Sequence, residues 1–273
     1  MGPRWCKSSW WRNRPTTTQP APLPDSSLRH VRALAEYDGT AYYGFQILSD
    51  RPSVQGTLEQ ALYRLTGQST HLRFAGRTDA GVHASGQVIA AEVIWRHSLP
   101  DLERAWNAHL PGDIALRSLA EITDSSFHPR FSARSRVYQY TLWTAPWRSP
   151  LHARYTHHLP RPLDLQRMNQ AAAALIGVHD FASFGQPPQE GATNTVREVL
   201  RAVWRQNGNI MQFEIEANAF LRRMVRTLAG TLLAVGLGQR PAESVSQLLA
   251  TPDRKAAAPP VPACGLCLVE VKY

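Results

Sequence analysis

The sequence predicts an α+β fold built from two α/β halves of similar order, and three observations carry that expectation. Short runs of alternating apolar and polar residues recur along the 273-residue chain, as strands with one buried face require. Between them lie stretches whose apolar residues fall at helical spacing. Asn207-Gly208-Asn209 separates two alternating runs as a hairpin turn does. Sheets with helices packed on one side follow. Hydrophobic residues make up 43% of the chain, which suits a packed core and argues against disorder.

Residues 1–28 stand apart. They are rich in Pro, Ser, Thr, Trp and Arg, carry one acid (Asp25), show no period, and lack the apolar core of a signal peptide. A disordered N-terminal extension, or an overlong start, is expected there. The N-terminal half (29–125) opens with the alternating run Val31–Tyr37. Ser53 caps a helix striped by Leu58, Ala61, Leu62 and Leu65. Leu72–Ala75 and Val88–Trp95 are strands flanking a long loop. Leu102, Ala105, Trp106 and Leu110 mark a second helix stopped by Pro111-Gly112, and Ile114–Glu121 closes the half.

The C-terminal half (126–273) begins with a strand, Arg134–Trp143, that sets Arg136, Tyr138 and Tyr140 on one face. Asp164 reads as the N-cap of a helix carrying Leu165, Met168, Ala172, Leu175 and Ile176, with Leu163 and Met168 placed as a hydrophobic staple. Val196–Arg205 and Ile210–Ala217 flank the hairpin turn. A helix follows from about Ala219 to Val235, a shorter one near Ala242–Leu249, and Leu266–Tyr273 is the last strand.

Charge and composition narrow the function. The formal net charge is +9, and all but Lys7, Lys255 and Lys272 of the 30 basic residues are arginine. Arginine makes bidentate bonds to phosphate and stacks on bases, which suits a nucleic-acid partner. An arginine-heavy composition alone gives the same ratio. No apolar run is long enough to span a bilayer, so no membrane helix is expected. Three cysteines make no disulfide framework, and reduced cytoplasmic thiols fit best. Cys264-Gly265-Leu266-Cys267 has metal-like spacing but no second pair, so no metal site is expected. His152, His157 and His158 lack a partnering pattern and read as surface or strand residues. Neither a Gly-rich dinucleotide loop nor a Walker-type loop occurs, so a nucleotide cofactor has no support.

The densest chemistry lies in Phe74-Ala75-Gly76-Arg77-Thr78-Asp79-Ala80-Gly81-Val82-His83-Ala84-Ser85-Gly86-Gln87. Asp-Ala-Gly is ordinary turn chemistry. Here, though, Arg, Thr, Asp, His, Ser and Gln fall within eleven residues of a loop bounded by apolar strands, with glycines 76, 81 and 86 for tight turning. If Ala75–Asp79 keeps extended geometry, Arg77 and Asp79 point the same way. A carboxylate beside a guanidinium stays ionised well below neutral pH, which suits nucleophilic or electrostatic work.

This segment resembles the signature of TruA-type tRNA pseudouridine synthases. Four further blocks match in order: Glu36-Tyr37-Asp38-Gly39-Thr40 with Tyr42-Tyr43-Gly44-Phe45-Gln46; Asn107 with Leu110-Pro111-Gly112-Asp113-Ile114; Phe127-His128-Pro129-Arg130-Phe131-Ser132-Ala133 leading to Tyr138 and Tyr140; and Ala217-Asn218-Ala219-Phe220-Leu221 with Met224-Val225-Arg226. The resemblance runs from about Arg29 to the last residue. It implies two ferredoxin-like (RRM-like) subdomains whose antiparallel sheets join, helices on one side and a basic active-site cleft on the other. It also implies a homodimer acting without a cofactor on uridines 38, 39 and 40 of the tRNA anticodon arm.

The resemblance gives roles to residues. Asp79 acts at C1′, as nucleophile or by promoting a glycal, and both routes stay open. Arg226 is the expected partner of Asp79, since a buried carboxylate is costly unless paired. Tyr138 stacks on the flipped base, and Leu266, with Leu268, keeps an apolar frame around it. Arg77 enters the space left by the base, meets phosphate, or forms a salt bridge to Asp79. Arg130, Arg134, Arg136, Arg222 and Arg223 are expected to meet RNA. Cys267 stands where the family commonly has a tyrosine, with some loss of base contact expected. Two alternatives remain: a non-catalytic tRNA-binding protein or chaperone on the same scaffold, and an aspartate-dependent glycoside hydrolase. The latter needs a second carboxylate that only Asp38, Glu92 or Asp113 could supply.

Overall fold

Strand β1 (Leu28–Tyr37) buries Val31, Ala33, Ala35 and Tyr37 and turns Arg32 and Glu36 to solvent, the alternation read from the sequence. It begins the computed structural model, which describes residues 28–187 and 193–273. The expected disordered extension therefore lies outside the described residues, except Leu28, which already belongs to β1. In the first half follow α1 (Val54–Thr66), β2 (Arg73–Phe74), β3 (His83–Ile94), α2 (Leu99–Ala108) and β4 (Ile114–Glu121). The second contains β5 (Ser135–Trp143), β6 (His157–His158), α3 (Leu165–Ala173), β7 (Gly177–Asp180), β8 (Val196–Asn207), β9 (Ile210–Ala217), α4 (Met224–Gly236), α5 (Ser244–Ala250) and β10 (Leu266–Lys272).

Among the described residues all ten strands belong to one sheet, ordered β4-β1-β3-β10-β5-β9-β8-β7, with β2 on β3 and β6 on β5. Pairing is antiparallel apart from β10 with β3 and β5 with β6. The seam is β10, which pairs with β5 along its length and with β3 through Cys267–His83 and Leu268–Ala84. A Cβ on Gly86 of β3 would lie 2.2 Å from the Val269 carbonyl oxygen, so only glycine lets the two backbones approach this closely.

Register makes the buried faces of both halves one face. Tyr37 is opposite Ala84, Ala84 opposite Leu268, Leu268 opposite Tyr138, and Tyr138 opposite Ile215. The helices cover that face, and one core runs through Leu58, Leu62, Leu102 and Trp106 to Phe213, Leu228 and Leu232. The Trp106 indole N–H donates to the Leu58 carbonyl at 3.1 Å, locking α2 to α1.

Local signals are borne out. Ser53 accepts from Gly56 N–H and Asp164 from Arg167 N–H as N-caps. The hairpin turns through Gly208 at φ 57°. Other expectations need correction. Strand β3 starts at His83, not Val88, because β1 and β10 hold that stretch from both edges. Helix α4 starts at Met224, not Ala219: Arg222 spends its N–H and carbonyl on Gln186, and Arg223 is left-handed at φ 64°. Ile176 is exposed rather than on the α3 stripe, since α3 ends at Ala173. Strands β6 and β7 were not expected as such; they are short and lack alternation.

Candidate active site

Residues 75–82 form the loop between β2 and β3, and the surrounding chain holds it at several points. The Gln87 side-chain amide accepts from Gly76 N–H at 3.2 Å and donates to the Gly76 carbonyl at 2.7 Å. Tyr37 and Thr78 share a hydroxyl hydrogen bond of 2.8 Å. Phe45 N–H donates to the Thr78 carbonyl at 3.2 Å, and Gly81 N–H to the Tyr42 carbonyl at 3.2 Å. Of the loop glycines only Gly81 needs a positive φ (76°). Gly86 serves the seam instead. Gln87 is a residue whose role the sequence did not disclose, although it lay inside the polar cluster that drew attention.

Asp79 projects from this loop, about a quarter exposed, toward the first turn of α4. Its Oδ2 lies 3.2 Å from a terminal guanidinium nitrogen of Arg226. Arg226 is aimed by Val261: its Nε–H donates to the Val261 carbonyl at 2.8 Å, and Val261 N–H donates back to the Arg226 carbonyl at 3.2 Å. A cation in a first helical turn is disfavoured by the helix dipole, so the Asp79 carboxylate offsets an otherwise poor placement. The pair joins residues 147 positions apart, one from each half.

Tyr138 of β5 is buried on the same face, its ring edge-to-face with Phe220 at 5.0 Å between centroids. Burial, and then the Asp79 charge, push its phenol well above the ordinary tyrosine value, so the hydroxyl keeps its proton at neutral pH. Leu266 and Leu268 are buried on this face as well. Cys267 points the other way, its Sγ 3.9 Å from Ser85 Oγ, on the opposite face of β10 from Leu266 and Leu268. Burial raises both Cys264 and Cys267 thiols, leaving them poor nucleophiles.

One expectation about placement is corrected. The site was expected on the sheet face away from the helices, yet Arg226 belongs to α4 and Tyr138 shares the face of Phe213 and Ile215. The three groups meet on the helix-bearing side, at the first turn of α4.

The other arginines divide. Arg77, Arg134, Arg222 and Arg223 are exposed, and Arg130 is partly so, with its guanidinium 5.4 Å over the Phe131 ring. Burial and then the nearby Arg130 charge lower the proton affinity of Arg77. Asp79 forms its ion pair with Arg226. Arg136 is buried and bonded to backbone carbonyls, which removes it from the surface where RNA contact was expected. Beside the loop, His83 Nδ1 sits 3.2 Å from the Asp38 carboxylate, which Arg154 and Tyr155 also reach at 3.2 Å. A cavity of about 510 Å³ lined by Thr57, Arg64, His109 and Pro111 lies between α1 and α2 and shares no residue with the Asp79 site.

Residues 33–132 and 171–273 match the family model described as tRNA pseudouridine synthase. The chain is 41% identical to the tRNA pseudouridine synthase A of Pelobacter propionicus, over 90% of this chain and 100% of that one. It is 43% identical to that of Myxococcus xanthus, over 89% and 91%. A solved structure titled "Crystal Structure of a Cbf5-Nop10-Gar1 Complex" overlaps 91% of this chain and 54% of its own at 11% identity and TM-score 0.36, too distant to carry an argument. With the family model matched across both halves and relatives near two-fifths identity over nine-tenths of its length, the chain belongs to the tRNA pseudouridine synthase family.

Proposed function

We propose that the protein isomerises uridine to pseudouridine in the anticodon stem-loop of tRNA, at uridines 38, 39 and 40, with Asp79 acting at C1′. The observation that carries this reading is the 3.2 Å Asp79–Arg226 ion pair beside Tyr138. The reaction breaks the C1′–N1 bond and forms C1′–C5, with the C5 proton lost and N1 gaining one. It needs no redox partner and no group donor, so no cofactor is required. The carboxylate attacks C1′ or promotes the glycal, and Arg226 keeps it charged and aimed. Tyr138, protonated at neutral pH, serves better as a stacking platform for the detached base than as a base itself. Leu266 supplies apolar wall.

Arg77 and Arg130 lie close enough to repel, and a phosphate between them would relieve that cost. Arg134, Arg222 and Arg223 extend the basic surface as further backbone contacts. The strand orders β4-β1-β3-β2 and β10-β5-β9-β8 support reading the chain as two ferredoxin-like units, 29–125 and 126–273, flanking a basic cleft. A cytoplasmic homodimer on tRNA completes the proposal.

Asp79→Asn tests it. Pseudouridine formation, mapped base by base in tRNA, should fall about 10⁴-fold, as when the nucleophile of an enzyme is removed. RNA affinity should stay within about twofold, because phosphate contacts dominate it. Loss of binding with turnover per bound RNA intact would make Asp79 structural, and a wild type that binds tRNA but forms no pseudouridine would favour a tRNA-binding protein without this chemistry.

A further inference from the structure

Arg136 is 8% exposed, yet the contacts it makes are with carbonyl oxygens rather than a carboxylate. One terminal nitrogen donates to the Asn218 carbonyl at 2.7 Å and, at a longer 3.5 Å, to that of Ala133. The other donates to the Ala75 carbonyl at 3.2 Å and to that of Arg130. Each terminal nitrogen carries two N–H groups, so these four acceptors use all of them and leave neither nitrogen a donor for phosphate. Burying a guanidinium is costly, and saturation by carbonyls offsets that cost.

The acceptors are not arbitrary. Ala75 opens the loop that carries Asp79. Asn218 precedes Phe220 by two residues, and Phe220 packs edge-to-face on Tyr138. Arg136 itself precedes Tyr138 by two residues on the same face of β5. One planar fork thus ties the loop of the first half to the base platform of the second, at the place where the two halves must agree in position.

We infer that Arg136 is a positioning residue for the isomerisation, a fork that fixes the Asp79 loop against the Tyr138–Phe220 wall, and not a contact to tRNA. The inference rests on the proposed function and names a further residue for the same site. Lysine retains the charge but lacks the planar fork, so it cannot span Ala75 and Asn218 together.

The test compares wild type, Arg136→Lys and Arg136→Met on unmodified tRNA transcript. For R136K, kcat should fall by up to about 10²-fold, the scale of a misplacement near 1 Å, while KM stays within about twofold. R136M should be worse, so that lysine gives partial rescue. The slope of log affinity against log salt should match wild type, whereas loss of a phosphate contact would reduce it by about 1. A raised KM, a shallower salt slope and an undiminished kcat would overturn the inference. Should the variants fail to fold, labelling of the folded wild type with phenylglyoxal decides. Arg136 should resist modification with and without tRNA, while exposed Arg134 reacts in the free protein; reactivity at Arg136 that tRNA suppresses would sink the proposal. A wild-type protein that forms no pseudouridine would instead defeat the proposed function, and the labelling pattern would still report on Arg136.

Discussion

At Gly44 the backbone takes φ 106°, and a Cβ there would lie 2.6 Å from the Thr78 carbonyl oxygen, one residue before Asp79. Gly67 also has a positive φ (70°), but a Cβ there meets nothing within 4 Å. The pair separates conformational strain from steric collision. Gly67→Ala should cost about 1 kcal/mol by strain alone, and Gly44→Ala about 2–3 kcal/mol with loss of activity, because the carboxylate loop must move. Urea unfolding of both variants checks this, and equal costs would mean the Asp79 loop absorbs the methyl group freely. That Asp79, Tyr138 and Arg226 lie near one another was legible from the sequence, because each sits in a block of distinctive residues that resembles the family. The role of Arg136 was not, since whether an arginine faces solvent or carbonyls depends on chain far from it.

Among the elements, ends set by neighbouring residues were readable and ends set by distant partners were not. Ser53 and Asp164 cap their helices through hydrogen bonds three residues away, a relation visible in sequence. The start of β3 at His83 depends on Tyr37 and Leu268, and the start of α4 on Gln186, none of which local pattern reveals. The side of the sheet that holds the site followed the same rule, because it needed the register across β10. Ser53→Ala should cost about 1 kcal/mol as the buried hydroxyl no longer meets Gly56 N–H, while β1–β4 stay paired. Calorimetry against wild type measures the loss, and a melting temperature unchanged by the substitution would show that the backbone caps itself.

Over the whole molecule, titration couples to folding with a defined sign. Burial first, against the opposing pull of Asp38, lowers the pKa of His83; burial first also lowers those of His128 and His157. The folded state therefore binds fewer protons than the unfolded one below the ordinary histidine value of about 6.5. Stability present above that pH should be lost as pH falls toward the folded values, and His83→Asn should flatten part of the slope. Glu216 and Asp38 work lower down. Burial would raise each, but hydrogen bonds and nearby cations hold both below their usual values, so a second loss follows as carboxylates protonate. Urea midpoints at pH 7.5, 6, 4.5 and 3 read both windows, and a midpoint constant from 7.5 to 6 would refute the histidine linkage.

The seam strand has a consequence for synthesis on the ribosome. β10 follows every other described strand, and α4, which brings the arginine to the acid, precedes it only by α5 and a connecting stretch. A nascent chain with its first half already folded presents an open sheet edge along β3 and an acid without its cation. On the proposed function such a fragment should be catalytically mute, and the emerging polypeptide is expected to modify no RNA until its two halves have been sewn together.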